Sequence, residues 1–360
     1  MGSHIKSQSS VDSNFTRHLP KVELHAHLTG SISPQTLHDI WLERKGQDPS
    51  MELDDPLKVM STEKEHFNVF TFFPLFDTYI YNLITSVSSI RQSTLAVLQS
   101  FYADGVRYLE LRTTPRAVPG TSISKQIYIS TVLDCMDEFF QSSGNDMSIY
   151  LILSIDRKNA AEEAAQTVDL AIEFRNQGRP VVGVDLCGNP ARGDVSTFRV
   201  AFAKAKDAGL KITLHFAEIP ASSTEDELRA LLSYQPDRLG HVIHVPPKFK
   251  EEIVEKKLGL ELCLSCNVLA KLTEGGFAEH HFGEWQKTGC PIALGTDDVG
   301  VFGSSLSNEY LLAGQHFSLT KADLLGLSRS AIECMFGGNE EKDKMYKLLN
   351  DFQELKSASP

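Results

Sequence analysis

The 360-residue chain contains no apolar run long enough to span a bilayer, and its six cysteines form no dense framework. No signal peptide precedes them. We therefore expect reduced thiols, a cytoplasmic location and no membrane association. Acidic residues outnumber basic ones: 35 Lys and Arg against 47 Asp and Glu give a formal net charge of −12. A nucleic-acid polymer would require a basic face, which disfavours such a partner, whereas a small anionic ligand needs only a local cluster of donors.

Two common nucleotide-binding motifs are also missing. No GxGxxG follows the first strand-like segment and no GxxxxGK[ST] occurs anywhere, so neither a dinucleotide site nor a P-loop is supported. With 41% hydrophobic and 23% charged residues, the composition is that of a globular protein with an ample core. Residues 1–18 are polar and Ser-rich, and we expect them to be a disordered tail.

Eight short β-rich segments recur along the chain, most of them separated by stretches with apolar residues at helical spacing. The segments are KVELHAH (21–27), VRYLELRTTP (106–115), SIYLILSIDR (148–157), VVGVDLCGNP (181–190), LKITLHFAE (210–218), RLGHVIHV (238–245), LGLELCLSCN (258–267) and CPIALGTDD (290–298). Strands that alternate with helices indicate a parallel sheet. Eight of them favour an α/β fold closed as a (β/α)8 TIM barrel over an open doubly wound sheet, and we place this single domain at residues 19–355.

One connection is unusually long and lies between the first and second strands. It contains a stretch rich in Phe and Tyr at 66–84, and we expect a helical insertion at about 46–100. An insertion after a barrel strand emerges at the face where barrel enzymes carry their sites. The insertion either packs on the rim of the barrel or forms a lid over its mouth, and both readings remain open.

Polar side chains follow nearly every predicted strand, where a parallel barrel gathers its reactive groups. His25 and His27 alternate with Ala26 along a strand, so both point to the same face. Together with His215 and Asp297 they offer three imidazoles and a carboxylate, which is typical of zinc with an open position for water. The fourth strand ends without a lysine that might bridge two metals, which favours one zinc per chain. Cys263 and Cys266 form a single CxxC on an apolar strand, which we interpret as core thiols.

An acid and a base are expected beside this metal site. Glu218 lies three residues beyond His215, and a partly desolvated carboxyl there could remain protonated and act as an acid. His241 ends the sixth strand, where an imidazole would serve as a general base or an electrostatic partner of water. Asp298 neighbours Asp297, points elsewhere if the backbone is extended, and could accept a hydrogen bond from a ring N–H. The alternatives are a surface carboxylate for Glu218 and a purely supporting role for His241.

The motifs HAHLTG (25–30), LHFAEIP (214–220), LGH (239–241) and GTDD (295–298) resemble the adenosine deaminase family. Within it, YLELRTTPR, VVGVDLCGNP, DDVGVF and LSNEY look like the branch that deaminates N(6)-methyl-AMP, and the likeness runs from Leu19 to near Phe336. The resemblance implies a (β/α)8 barrel with one zinc held by His25, His27, His215 and Asp297. It implies that Glu218 donates a proton to ring nitrogen 1 of the purine and that His241 helps to orient and deprotonate the water.

The resemblance also implies a set of substrate contacts. The Gly188 backbone and the Asp298 carboxylate would hold the purine. The nucleotide would be contacted by His27, Thr29, Ile80, Thr114, Pro115, Arg116, Ala117 and Asp156. Thr29 and Ile80 depart from the family, which usually has Asn and His there, and both lie at the ribose-phosphate end. Among the donors of LRTTPR we prefer Thr114 and Arg116 as phosphate contacts, with a structural ion pair as the alternative for Arg112.

These observations predict a zinc-dependent, monomeric hydrolase that converts the purine nucleotide N(6)-methyl-AMP to IMP and methylamine. Three alternatives remain open: an adenosine or adenine deaminase, an inactive nucleotide-binding barrel, and an amidohydrolase of another cyclic amidine. The acid, base and full ligand set argue against the inactive barrel, because a pure binder needs none of them together.

Overall fold

A computed structural model describes residues 11–60, 68–142 and 146–358. Its parallel strands lie in one sheet in sequence order. They are β1 (Lys21–His27), β2 (Val106–Thr113), β3 (Ser148–Asp156), β4 (Val181–Cys187), β5 (Lys211–Phe216), β6 (Arg238–His241), β7 (Gly259–Leu262) and β8 (Ile292–Leu294). Strand β1 meets the end of β8 through a parallel bridge between Ala26 and Asp297. The predicted (β/α)8 barrel is confirmed.

Helices precede, connect and follow the strands along the chain. They are α1 (Ser13–His18), α2 (Pro34–Gln47), α3 (Pro56–Val59), α4 (Val69–Leu75), α5 (Tyr81–Leu83), α6 (Val87–Ala103), α7 (Lys125–Gln141), α8 (Ala161–Asn176), α9 (Arg199–Asp207), α10 (Glu225–Ser233), α11 (Pro247–Lys256), α12 (Leu264–Leu269), α13 (Phe282–Trp285), α14 (Val299–Phe302), α15 (Leu306–His316), α16 (Lys321–Glu333) and α17 (Asn339–Ala358). Within the described segments, none of these helices is both long enough and apolar enough to cross a membrane.

The predicted insertion at 46–100 is helical where the structure describes it. It holds α3, α4, one turn of π-helix (Phe76–Ile80), α5 and most of α6, whereas α2 begins earlier, at Pro34. Residues 61–67 lie outside the described ranges. The segment forms one wall at the mouth of the barrel, because Phe73, Pro74 and Phe76 line the cavity described below. That position is the one expected of a lid, and closure remains a prediction.

The seam of the barrel is closed by backbone atoms of predicted site residues. The His27 N–H donates to the Asp297 carbonyl at 2.9 Å, and the Asp297 N–H donates to the His25 carbonyl at 2.7 Å. Asp297 adopts φ +59°, a left-handed conformation that is uncommon outside glycine and concentrates at functional sites. The fold therefore fixes the Asp297 side chain directly beside those of the two histidines.

The inside of the barrel is charged at its centre. Arg238 is buried and contacts Glu110 and Glu261 at 2.6 Å each. Arg112 is likewise buried and contacts Glu261 at 2.6 Å and Asp185 at 3.4 Å. Buried charges are tolerated when they are paired and hydrogen-bonded in this way. The structural ion pair considered for Arg112 is therefore what the structure shows.

The expectation of a disordered tail through residue 18 is wrong for Ser13–His18, which form α1; residues 1–10 lie outside the described ranges. Asp12 caps this helix by accepting from the Phe15 N–H at 2.8 Å. Phe15 is 4% exposed and packs on Phe352 with ring centroids 5.6 Å apart. The buried Lys21 ammonium donates to carbonyls near the end of α1, including that of Thr16 at 2.8 Å. Because the segment is mostly polar, its composition gives no sign that one large apolar side chain packs into the core.

We predict that Phe15→Ala lowers the free energy of unfolding by about 3 kcal/mol, because the change removes a buried aromatic side chain and leaves a cavity. Urea denaturation followed by circular dichroism measures the effect. The matched control is Phe140→Ala, since Phe140 is 57% exposed and its loss should cost less than ~0.5 kcal/mol. Equal effects of the two changes would contradict the anchoring role of α1.

Candidate active site

A cavity of about 390 Å³ opens at the carboxyl ends of the strands. This volume suits a small organic ligand. The site residues predicted from the sequence that line it are His27, Thr29, Thr114, Asp156, Gly188, His215, Glu218, His241, Asp297 and Asp298. The C-terminal face of the barrel thus brings together side chains from β1, β2, β3, β4, β5, β6 and the turn after β8.

Four potential metal ligands converge at the inner end of the cavity. The His27 Nε2 atom lies 3.2 Å from the His215 Nε2 atom and 3.3 Å from the Asp297 Oδ1 atom. The His25 Nε2 atom lies 3.5 Å from the same carboxylate oxygen. Tetrahedral coordination with bonds of about 2.0–2.1 Å would place ligand atoms about 3.3 Å from one another. The spacing therefore fits a single small metal ion.

Hydrogen bonds aim two of these imidazoles at the common point. The His25 Nδ1 atom lies 2.7 Å from Glu261 Oε2, and the His215 Nδ1 atom lies 3.2 Å from Asp185 Oδ1. When each Nδ1–H donates to its carboxylate, each Nε2 presents a lone pair toward Asp297 and His27. Carboxylates behind ligating histidines are typical of metal sites. The His25 Nε2 atom has no hydrogen-bond partner among the described residues, as a ligand atom requires.

The carboxylates are kept ionised by their neighbours. Burial alone would raise the pKa of Asp185, but His215 and Arg112 hold it well below its usual range. Burial opposes ionisation of Glu261 as well, and Arg112 with Arg238 keeps the pKa of that carboxyl well below its usual range. Burial would likewise raise the pKa of Asp297, but the adjacent imidazoles of His25 and His27 hold it well below its usual range. All three can therefore act as acceptors at neutral pH.

Two other groupings of metal-binding side chains lie nearby. His241 joins His25, His215 and Asp297 within 4.8 Å, but its Nε2 atom is 3.8 Å from the second oxygen of Asp297. Cys187 joins His27 and Asp185 within the same distance. Burial raises the pKa of the Cys187 thiol well above its usual value, so it lacks the thiolate that metals bind. The spacing favours His27 over both as the fourth ligand.

Glu218 is placed to carry a proton. Its side chain is buried at the inner end of the cavity, and within the described part of the chain its Oε2 atom has no hydrogen-bond partner. Burial is the largest cause that raises the pKa of Glu218, to about 7, with a further contribution from Asp297. A carboxyl with this pKa can give or take a proton near neutrality.

Asp298 interacts electrostatically with Glu218, and its pKa is raised as well. Burial, and then the charges of Asp297 and Glu218, raise the pKa of Asp298 well above its usual value. Gly30 makes room for it, since a Cβ atom on Gly30 would lie 1.5 Å from Asp298 Oδ1. A neutral Asp298 has an O–H group to donate to a ligand in the cavity.

Four residues expected to bind substrate do not line the cavity: Ile80, Pro115, Arg116 and Ala117. Ile80 is fully buried, whereas its neighbour Tyr81 faces the cavity. The π-helical turn ends at Ile80 and adds a residue to the helical path, which changes the side chain presented at this point.

Arg116 is turned away from the cavity by aromatic contacts. Its guanidinium lies 4.8 Å from the ring centroid of Tyr81 and 5.7 Å from that of Tyr128, and it donates to the Ile84 carbonyl. Cation–π stacking on rings of α5 and α7, with a backbone acceptor, thus holds this cation outside the cavity. The expectation that Arg116 faces the phosphate is not met by its position.

The CxxC is buried, as expected, but only Cys263 follows the strand directly. Cys266 lies in α12 and lines the cavity. Burial raises the pKa of both thiols well above the usual value, so neither is a thiolate at neutral pH.

Several residues that hydrogen-bond to the histidines of the site are not predicted from the sequence. Asp185 and Glu261 stand in the middle of apolar strands, and a carboxylate at such a position signals a buried partner. Asn267 and His280 contact each other at 3.1 Å, and Asn267 contacts His241. No periodicity points to that contact, because it joins a strand end, a helix and a loop that are far apart in the sequence.

Comparisons with known proteins agree with this geometry. The Adenosine deaminase family model matches residues 20–352. An N6-Methyl-AMP deaminase of Danio rerio is 38% identical over 94% of this chain and 97% of its own length. The crystal structure of Arabidopsis N6-mAMP deaminase is 34% identical, covers 94% of this chain and 99% of its own, and superposes with a TM-score of 0.87. Arabidopsis ADAL complexed with IMP gives 34% identity and a TM-score of 0.86, with 94% and 98% of the chains covered. The chain belongs to the adenosine deaminase family.

Proposed function

We propose that this protein hydrolyses N(6)-methyl-AMP to IMP and methylamine with one zinc ion per chain. The observation that carries the proposal is the ligand spacing of His25, His27, His215 and Asp297 next to a protonatable Glu218. Relatives named as N6-methyl-AMP deaminases and a related structure with bound IMP support the choice of substrate. We also predict a monomeric, cytoplasmic protein whose single domain begins at α1 rather than at residue 19.

Each residue has a defined task in this reaction. Zinc, when bound, supplies the Lewis acidity that lowers the pKa of a water from about 15.7 to about 7. Glu218 holds a proton for ring nitrogen 1 of the purine, which makes carbon 6 more electrophilic. Asp298 donates its O–H to a second ring nitrogen and orients the base together with the Gly188 backbone. His241 orients the attacking water, whose oxygen bonds to carbon 6. One proton of the water replaces the proton that Glu218 gave to ring nitrogen 1, and the other goes to the amine nitrogen, which leaves as methylamine when its bond to carbon 6 breaks.

The rival functions differ in what the outer end of the cavity must recognise. Adenosine and adenine deaminases need no phosphate contact, whereas a nucleotide deaminase does. An inactive nucleotide-binding barrel would not need Glu218, a metal set and His241 together. An amidohydrolase of another cyclic amidine is disfavoured by membership of the adenosine deaminase family. The decisive assay follows the loss of ultraviolet absorbance with adenosine, AMP and N(6)-methyl-AMP.

Lys158 is the best-placed cation for a 5′-phosphate. The cationic side chains that line the cavity, within the described ranges, are Arg112, Lys158 and Arg192. Arg112 is neutralised by two buried carboxylates. The Lys158 side chain is 44% exposed, and its Nζ atom lies 3.0 Å from Asp77 Oδ1 and 3.5 Å from Asp156 Oδ2. Such exposed ion pairs are weak, so a phosphate with nearly two charges can replace Asp77. Thr29 and Thr114 add hydroxyl donors on the same cavity wall.

We predict that kcat/KM for N(6)-methyl-AMP exceeds that for N(6)-methyladenosine by at least ~100-fold, because the phosphate is bound by a charged donor and several hydroxyls. The Lys158→Gln variant should lower kcat/KM for the nucleotide by about 10–100-fold and that for the nucleoside by less than ~3-fold. Steady-state kinetics on both substrates measure the contrast.

The control for this comparison is Lys204→Gln, which removes a lysine that is ion-paired with Asp169 on α9 and α8, outside the cavity. It should leave both substrates unaffected. Arg116→Gln tests the residue favoured by the sequence alone. A nucleotide-specific loss confined to Arg116→Gln would contradict the assignment to Lys158, and equal wild-type efficiency on the two substrates would rule out the nucleotide function.

We predict about one zinc per chain in the purified protein, measured by mass spectrometry of the metal. His27→Ala should lose both metal and activity, because its Nε2 atom belongs to the tetrahedral set. His241→Ala should retain the metal and lose activity, since this residue orients water in the proposed reaction. Two metals per chain, or loss of metal in His241→Ala, would show that the ligand set is different.

We predict that Glu218→Gln retains zinc and substrate binding but loses about 10²–10⁴-fold in kcat, the usual contribution of a general acid. In the wild type, kcat/KM should fall as the pH rises above about 7, because the proton on Glu218 is lost there. Glu225→Gln, which removes only an exposed carboxylate paired with Lys248, is the control. Wild-type turnover by Glu218→Gln would place the acid elsewhere.

A further inference from the structure

His241 is held by a chain of hydrogen bonds that continues behind it, away from the cavity. Its Nδ1 atom lies 2.9 Å from Asn267 Nδ2, and Asn267 Oδ1 lies 3.1 Å from His280 Nε2. The three side chains are 0%, 0% and 2% exposed, so water does not compete for these contacts. The chain crosses from β6 to α12 and on to the loop before α13.

At His280, the last residue of this series of hydrogen bonds, the donor and acceptor roles are fixed. The backbone N–H of Phe282 lies 3.0 Å from His280 Nδ1, and a backbone N–H can only donate. His280 Nδ1 is therefore an acceptor without hydrogen, and the ring carries its hydrogen on Nε2. That Nε2–H must donate to Asn267, so the amide presents its carbonyl oxygen to His280.

The orientation of the Asn267 amide then determines which nitrogen of His241 carries the hydrogen. With its oxygen committed to His280, the Asn267 amide turns its N–H group toward His241 Nδ1 and donates. A histidine nitrogen that accepts carries no hydrogen, so the hydrogen of His241 lies on Nε2. An imidazolium ring is excluded by the same contact, because its Nδ1–H would oppose the N–H of Asn267.

From this chain of contacts we propose that Asn267 and His280 are positioning residues that hold His241 in the tautomer with its hydrogen on Nε2. The inference rests on the proposed function, in which His241 meets the attacking water. It assigns His241 the role of hydrogen-bond donor to that water and removes the role of proton acceptor expected from the sequence. It also explains why His241 is not a metal ligand: its Nε2 carries hydrogen and lies 3.8 Å from Asp297 Oδ2.

The backbone of His241 is held by the same loop. His241 and Val242 adopt φ +64° and +47°, which is unfavourable for residues with a Cβ and especially for valine. The His241 carbonyl accepts from His281 Nε2–H at 2.6 Å, and the Val242 carbonyl accepts from Trp285 Nε1–H at 3.1 Å. The loop before α13, together with Trp285 at the end of that helix, thus fixes both the ring tautomer and the strained backbone that carries the ring.

The test replaces the amide nitrogen of Asn267 with an oxygen atom. Asn267→Asp keeps the size and the acceptor for His280, but it presents a carboxylate oxygen to His241 Nδ1 and so demands a hydrogen there. We expect kcat to fall by at least ~100-fold, toward the ~10⁴-fold recorded for a catalytic histidine in the wrong tautomer, with KM and zinc content unchanged within ~3-fold. The exposed control Asn350→Asp should retain full activity.

The direct readout is nitrogen NMR of the zinc-loaded enzyme with ¹⁵N-labelled histidine, in which the shift of each ring nitrogen reports whether it carries hydrogen. The His241 signals are identified by their loss in His241→Gln. We expect a bare Nδ1 and a protonated Nε2 in the wild type and the reverse in Asn267→Asp. His280→Gln, which keeps an N–H near the position of Nε2, should retain at least a tenth of kcat, whereas His280→Leu should lose ~100-fold.

The outcomes separate this inference from the proposed function. A protonated Nδ1 on wild-type His241 overturns the inference whatever the variants do. So does Asn267→Asp with kcat within ~3-fold of wild type, or with loss of zinc, which would mark Asn267 as a merely structural residue. The NMR measurement needs no substrate, and the kinetic arm uses whichever purine the wild type deaminates. Failure to act on N(6)-methyl-AMP therefore appears in the wild-type assay alone.

Discussion

The site depends on one buried cation at the centre of the barrel. Arg112 lies between Asp185 and Glu261, and these carboxylates orient His215 and His25. Without the guanidinium, burial would raise the pKa of both carboxyls, opposed mainly by Arg238 at Glu261 and by His215 at Asp185, and protonated carboxyls accept poorly from imidazole N–H groups. Removing one partner of a buried ion pair typically costs 3–5 kcal/mol. The ion pair thus links the stability of the barrel to the direction in which its histidines point.

Backbone hydrogen bonds that close the barrel also connect its stability to the placement of the site residues. The seam between β1 and the turn after β8 consists of hydrogen bonds among His25, His27 and Asp297. A sheet that failed to close would therefore also separate three of the four proposed metal ligands. Left-handed backbone conformations at His241 and Asp297 lie at this face, where the fold tolerates strain that helps to aim side chains.

The sequence predicts much of this arrangement because strand alternation is a local rule. The placement of His25, His27, His215 and Asp297 at one face follows from the positions of the strand ends. Contacts between distant segments do not follow from it, and they account for the corrections. Tyr81 replaces Ile80 in the cavity because of a π-helical turn, and Arg116 stacks on Tyr81 and Tyr128, which no spacing reveals. Helix α1 was missed because a single buried Phe15 outweighs its polar neighbours.

Three carboxyls in one small site differ in pKa because their surroundings differ. The imidazoles of His25 and His27 lie 3.5 and 3.3 Å from Asp297 Oδ1 and favour its ionised form, which the proposed role as a metal ligand requires. Glu218 and Asp298 each have one oxygen without a hydrogen-bond partner among the described residues. The negative charge of Asp297 disfavours the ionised form of both. Burial is the largest cause that raises both pKa values, and the negative charge of Asp297 adds to it. The imidazoles beside Asp297 thus separate the proposed metal ligand from the proposed proton donors, and the ionisation of each carboxyl follows from its surroundings rather than from its residue type.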